Sequence, residues 1–201
     1  MPFIKQVIHL VNQPSVTGCL AVALVQSGRI EAIAVVVSRV TTNGGIETFP
    51  AVMDTNYEAR EIVTDDTYPI ILYHKLLGKS YSTAATGNFG DGNKTLTEKL
   101  EVKLVVYAKY AALKLTTEQL EALITTGFPD AIAKQSIAPF KLDSMSVTLA
   151  ASNLNAAQVF MEEYKGFDLF LAPEDILFSI RYSIESRFRK NCFTICDCNP
   201  V

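Results

Sequence analysis

The sequence predicts an α+β fold: a mainly antiparallel, twisted sheet with long hairpins, packed by two to three short helices on one face. Three observations predict it. Residues 100–107 and 176–188 alternate between two side-chain classes, the period-two pattern of strands with distinct faces. Thr116-Thr117-Glu118-Gln119 carries a helix-start signature. Finally, 49% of the 201 residues are apolar and 19% charged, which is enough to bury a core and too apolar for a disordered chain.

Taken in order, Ile4, Val7, Ile8 and Val11 share one helical face, and Pro14 follows, so residues 2–12 are expected to form a short amphipathic helix. Cys19–Val25 is an apolar run that fits helix or strand. Ile30–Val40 is rich in β-branched residues and leads into Thr41-Thr42-Asn43-Gly44-Gly45, a hairpin turn, with the return strand at Ile46–Met53. Asp54–Asp66 turns polar and reads as a loop. Tyr68–Tyr81 and Lys99–Tyr110 form a long antiparallel hairpin around the tip Gly87–Gly92.

Thr116 caps a helix in which Gln119 reaches back, Leu115 and Leu120 form a hydrophobic staple, and Gly127 with Pro129 marks the end. Met145–Leu149 is a further strand, and Asn155 caps a helix reaching Tyr164. The terminal strand carries Ile176, Phe178, Ile180, Tyr182, Ile184 and Phe188 on one face. At about 3.3 Å per residue it would run about 43 Å, so it is expected to bend at a bulge, project beyond its own domain, or both. These elements make a single domain over residues 1–190 with a projecting hairpin around 68–110, followed by a tail at 191–201.

Composition narrows the function. Eighteen basic and 21 acidic residues give a net charge of −3 with no basic run, which argues against a dedicated nucleic-acid binder. Cys19, Cys192, Cys196 and Cys198 are too unevenly placed for a disulfide framework, so a reduced, intracellular setting is expected. The C-x3-C-x-C spacing lacks the paired knuckles and the histidine of a zinc site. Gly78-Lys79-Ser80 is the end of a P-loop pattern without its beginning, because Tyr73 stands where the first glycine belongs. His9 and His74 have no partner motif. Asp65-Asp66 and Glu162-Glu163 are adjacent pairs read as solvated faces. No catalytic residue, metal ligand or cofactor site is expected.

The segments Leu100-Glu101-Val102-Lys103-Leu104-Val105-Val106-Tyr107 and Leu177-Phe178-Ser179-Ile180-Arg181-Tyr182-Ser183-Ile184, set in this order of elements, resemble the tail terminator and tail-completion (neck) proteins of long-tailed bacteriophages. Additions at Thr41–Tyr68 and Leu154–Ala172 lengthen the chain beyond simple members. The resemblance implies a non-enzymatic virion protein, assembled in the host bacterial cytoplasm. It implies a homo-oligomeric ring, usually sixfold, that caps the tail tube and meets neck or head-completion proteins. DNA would pass its lumen without specific contact, and no membrane is involved. Candidate interaction residues are Phe89 and Lys94 at the hairpin tip and Arg181, Glu185 and Arg187 on the terminal strand. Two other readings stay open: a cytosolic small-ligand or peptide-binding α+β module with the glycine tip as lid, and an enzyme with His74 beside a carboxylate in a pocket.

Overall fold

The computed structural model describes residues 29–31, 34–53, 56, 58–62, 70–85, 94–133, 142–167 and 171–189, which form two sheets, three helices and two apolar layers. The larger sheet holds β1 (Arg29–Glu31), β5 (Ile70–Ala85), β6 (Lys94–Lys109), β7 (Leu142–Asn153) and β8 (Asp175–Arg189) in the order β1-β5-β6-β8-β7. Only β1 runs parallel to its neighbour, and the other pairings are antiparallel. The smaller antiparallel sheet holds β2 (Val35–Val40), β3 (Ile46–Met53) and β4 (Ala59–Glu61), with β3 central. The helices are α1 (Tyr110–Leu113), α2 (Thr117–Ala133) and α3 (Ala156–Glu163). The α+β class and the antiparallel sheet with long hairpins hold.

The helices do not share one face. On β6, Val102, Leu104, Val106 and Ala108 point to one side with Phe178, Ile180, Tyr182 and Ile184 of β8, and α2 closes that layer with Leu120 and Ile124. Val105 and Tyr107 point to the other side with Ile71, Tyr73 and Leu177, where α3 supplies Val159 and Phe160 and the small sheet supplies Phe49 and Ala51. A central strand that is apolar on both sides needs two covers, and that requirement splits the helices.

Several boundaries move for local reasons. The capping box at Thr116 forms as expected: the Thr116 amide donates to Gln119 Oε1 at 2.9 Å and the Gln119 amide donates to Thr116 Oγ1 at 3.3 Å. However, α2 continues through Gly127 and Pro129 to Ala133. Proline's fixed φ near −65° is itself helical, so the helix can run through position 129, where the N–H that would bond the Thr125 carbonyl is missing. The Asp54–Asp66 stretch contributes β4, which pairs with β3 at Ala51, Val52 and Met53. Met145–Leu149 extends to the 12 residues of β7, with register shifts between Leu142 and Ser144 and between Leu149 and Ala151. Asn155 caps α3 through its side chain, accepting from the Gln158 amide at 3.0 Å. The expected helix at 2–12, the run Cys19–Val25, the tip at Gly87–Gly92 and the tail cysteines lie outside the described residues.

The turn between β2 and β3 places Gly44 at φ +76°, with its amide bonded to the Thr41 carbonyl at 2.9 Å and Thr41 N to Gly45 O at 2.8 Å. This is a type I turn closed by a glycine bulge. A second glycine, just after α3, lies against the small sheet. Gly166 has φ +81°, and a Cβ there would sit 2.7 Å from the Ile46 carbonyl oxygen and 3.3 Å from Glu47 Cα. Next to it, the Thr48 amide donates to the Lys165 carbonyl at 2.8 Å. Gly166→Ala combines left-handed strain with a backbone clash, so it is expected to cost about 2–3 kcal/mol. Urea unfolding checks the size, and faster hydrogen exchange at Thr48 locates the damage at this joint.

Candidate interaction surface

The register of the large sheet sets a row of cations side by side. Lys75 on β5 is opposite Lys103 on β6, and Lys103 is opposite Arg181 on β8. Three like charges in a row repel unless something answers them, and the answer comes from α3 packed above. Lys103 Nζ lies 2.6 Å from Glu163 Oε1 and 2.7 Å from Glu162 Oε2, while Lys75 Nζ lies 3.1 Å from Glu163 Oε2. The Glu163 side chain is 1% exposed and that of Lys103 5%. Burial alone would push the Lys103 ammonium down, but its hydrogen bonds to Glu162 and Glu163 outweigh that and hold it above its ordinary value. The Lys103 hydrogen bond in turn holds Glu162 below the usual carboxylate range, with Arg181 adding to the effect. Beneath the same helix, burial pushes the Tyr73 hydroxyl well above its ordinary value, and Tyr164 and Glu163 reinforce it.

Glu162-Glu163 is therefore not a solvated pair. Successive residues on a helix are separated by about 100°, so two adjacent glutamates can straddle one lysine beneath them. This charged layer is the feature that sequence reasoning missed. Its local signal is a lysine at position 103, on the face where the charged positions Lys99 and Glu101 give way to Val105 and Tyr107.

The candidate interaction residues divide. Arg181 is exposed at the rim of the charged layer. Glu185 and Arg187 lie further out on the same face of β8 and bond each other, Arg187 Nη2 to Glu185 Oε1 at 2.9 Å. Lys94 begins β6, and Phe89 lies outside the described residues. From Leu96 to Glu101 the ribbon has lost its double cover: Lys99 and Glu101 are exposed on this face, with Ser80 and Ser82 beside them on β5 and Ser146 and Thr148 on β7. The core-covered half and the bare half meet at a bulge between Leu76 and Gly78. Gly78-Lys79-Ser80 is thus strand, and Lys79 Nζ pairs with the buried Glu98 at 2.7 Å.

The small sheet presents a different surface. Arg39 lies 5.1 Å from the Phe49 ring centroid and 5.4 Å from that of Phe167, bonded to Glu47 at 2.8 Å and Glu61 at 2.6 Å. On the opposite face Val36, Val40 and Ile46 are 57%, 74% and 67% exposed.

His74 is buried against Tyr182, its Nδ1 2.7 Å from the tyrosine hydroxyl, within the layer covered by α2. A shallow, open cleft between the start of α2 and the start of β8 is lined by Tyr110, Thr116, Glu118, Glu174 and Asp175. It carries acids without a facing base. Among the described residues there is no cluster of three metal-ligating side chains, and no helix is long and apolar enough to cross a membrane. No protein-family profile matches the chain, and no curated protein matches it.

Proposed function

We propose that this protein is a non-enzymatic structural subunit of a long-tailed phage or phage-tail-like particle, a tail terminator or head–tail connector that associates into a ring. The observation that carries this reading is the ribbon of β5, β6 and β8, with strands of 16, 16 and 15 residues. At about 3.3 Å per residue each strand spans about 50 Å, between two and three times what an ordinary five- or six-residue strand covers. Seven successive residues of β6, Val102–Ala108, are buried, whereas further out Lys99 and Glu101 are exposed. A strand that only built a core would stop where the core stops. An arm that continues is suited to reaching a neighbouring subunit, where strand edges and polar faces supply hydrogen bonds.

The reading is tested by negative-stain imaging of the purified chain, alone and mixed with tail tubes of its source particle. Closed rings, free or seated on tube ends, are the expected result. Particles of single-chain size at every concentration, with bare tube ends, overturn it.

A further inference from the structure

We infer that β2 is a self-pairing edge, through which two copies of this chain join about a two-fold axis into one continuous sheet of six strands.

The backbone fixes which groups are available. Thr41 bonds toward β3 through its amide, so alternate residues back along β2 (Arg39, Val37 and Val35) also face β3, opposite Glu47, Phe49 and Ala51. Pro50 agrees with this parity: it lies opposite Val36, at a level where β2 and β3 exchange no bond, so its missing N–H costs that ladder nothing. Val36, Ser38 and Val40 therefore turn their N–H and C=O groups away from β3. Among the described residues no strand pairs with that side. All six residues of β2 except Val37 are exposed, as suits an edge that is open on its outer side.

Most exposed edges are protected by lysine, proline or a bulge. This one, Val-Val-Val-Ser-Arg-Val, has no lysine, proline or register shift, and its one charge, Arg39, is tied to Glu47 and Glu61 of its own sheet. Its outer face carries Val36 and Val40 beside Ile46, all more than half exposed. An unprotected edge with an aliphatic flank is expected to find a partner.

Parity and charge then choose the partner and the register. Two copies of β2 pair antiparallel only with outward residues opposite outward residues. Centring on Arg39 would set Arg39 against Arg39 of the second copy, and like charges directly opposite are unfavourable. Centring on Val37 would set Val40 against Ala34, whose N–H is already bonded to the His74 carbonyl of β5 at 2.8 Å. Centring on Ser38 pairs Ser38 with itself and Val36 with Val40 in both directions, for about six main-chain hydrogen bonds. It also sets Arg39, already held by Glu47 and Glu61, opposite Val37. The aliphatic patches of the two copies then become one strip across the axis.

This contact is isologous, whereas a closed ring is built from head-to-tail contacts. It stands without the ring reading, and where rings form it links copies in two of them.

The test is Ser38→Cys under mild oxidation, with peptide mapping by mass spectrometry to separate the new link from native cysteines. A residue 38-to-38 disulfide is the expected product, because a two-fold centred there brings the two Cα atoms to about 5.5 Å. In a second arm, Ser38→Pro removes an N–H that β3 does not use. It is expected to leave the circular dichroism unchanged and weaken dimerisation about tenfold or more in sedimentation velocity. Absence of the 38-to-38 link overturns the proposal, as does a folded Ser38→Pro chain that dimerises like the parent. A sample with rings and no such link would refute this contact alone. A sample with the link and no rings would refute the ring reading alone.

Discussion

Replacing Lys103 with methionine is expected to destabilise the protein by about 3 kcal/mol, at the low end for breaking a buried ion pair. The side chain is 5% exposed and bonds both Glu162 and Glu163. Methionine fills much of the same volume, so the loss is electrostatic rather than a cavity. Glu162, 37% exposed, returns to water cheaply. Glu163, 1% exposed, does not, and keeps only Lys75 at 3.1 Å. That remaining partner is why the loss stays near the lower bound. Urea midpoints at neutral pH check it. Lys103→Met with Glu163→Leu removes both buried charges and is expected to recover most of the loss, because a buried pair is worth little against a well-packed apolar replacement. Equal losses in the single and double variants would show that packing, not charge, holds α3 down.

Acid is expected to destabilise the fold through His74, from below pH 6.5 down to about 3. Burial pushes its imidazolium from an ordinary value near 6.5 to about 3. In that window the unfolded chain binds a proton that the folded chain refuses, so stability falls as pH falls. The slope is about 1.4 kcal/mol per pH unit, which amounts to about 3 kcal/mol by pH 4 from this residue alone. Above pH 6.5 the residue contributes no slope, since both states hold it neutral. Neutral imidazole keeps the 2.7 Å bond to Tyr182 in either tautomer, whereas a charged ring would lie between Leu72, Leu104 and Ile180 in the apolar layer. Carboxylates also titrate in this range, so the informative quantity is a difference. His74→Phe with Tyr182→Phe removes both polar groups together, and the unfolding free energy of this variant is expected to fall less steeply between pH 6.5 and 4. Parallel curves for the two proteins would mean that His74 can be protonated in the folded state.

What could be read from the residues, and what could not, follows from the range of the interactions. The Thr116–Gln119 box spans one helical turn and formed as written. The alternation from Ile176 to Phe188 lies within one strand and gave β8 to within a residue. The two-face cover is partly local, since Val105 and Tyr107 opposite Leu104 and Val106 already mark a strand that is apolar on both sides. That signal is compatible with helices on either side, and only the tertiary path of the chain assigns α2 to one face and α3 to the other. The Lys103–Glu163 contact joins residues 60 apart, and nothing near either one in sequence announces the other. The free edge of β2 is subtler still. Val-Val-Val reads as a buried strand until pairing shows that, among the described residues, no strand lies along one of its two sides.

Light scattering on the purified chain, across a wide range of protein concentration, bears most directly on whether this molecule was shaped to join with itself. The account predicts a mass that is a multiple of the single chain and that grows as the solution is made more concentrated. A mass fixed at 22.1 kDa throughout would contradict it.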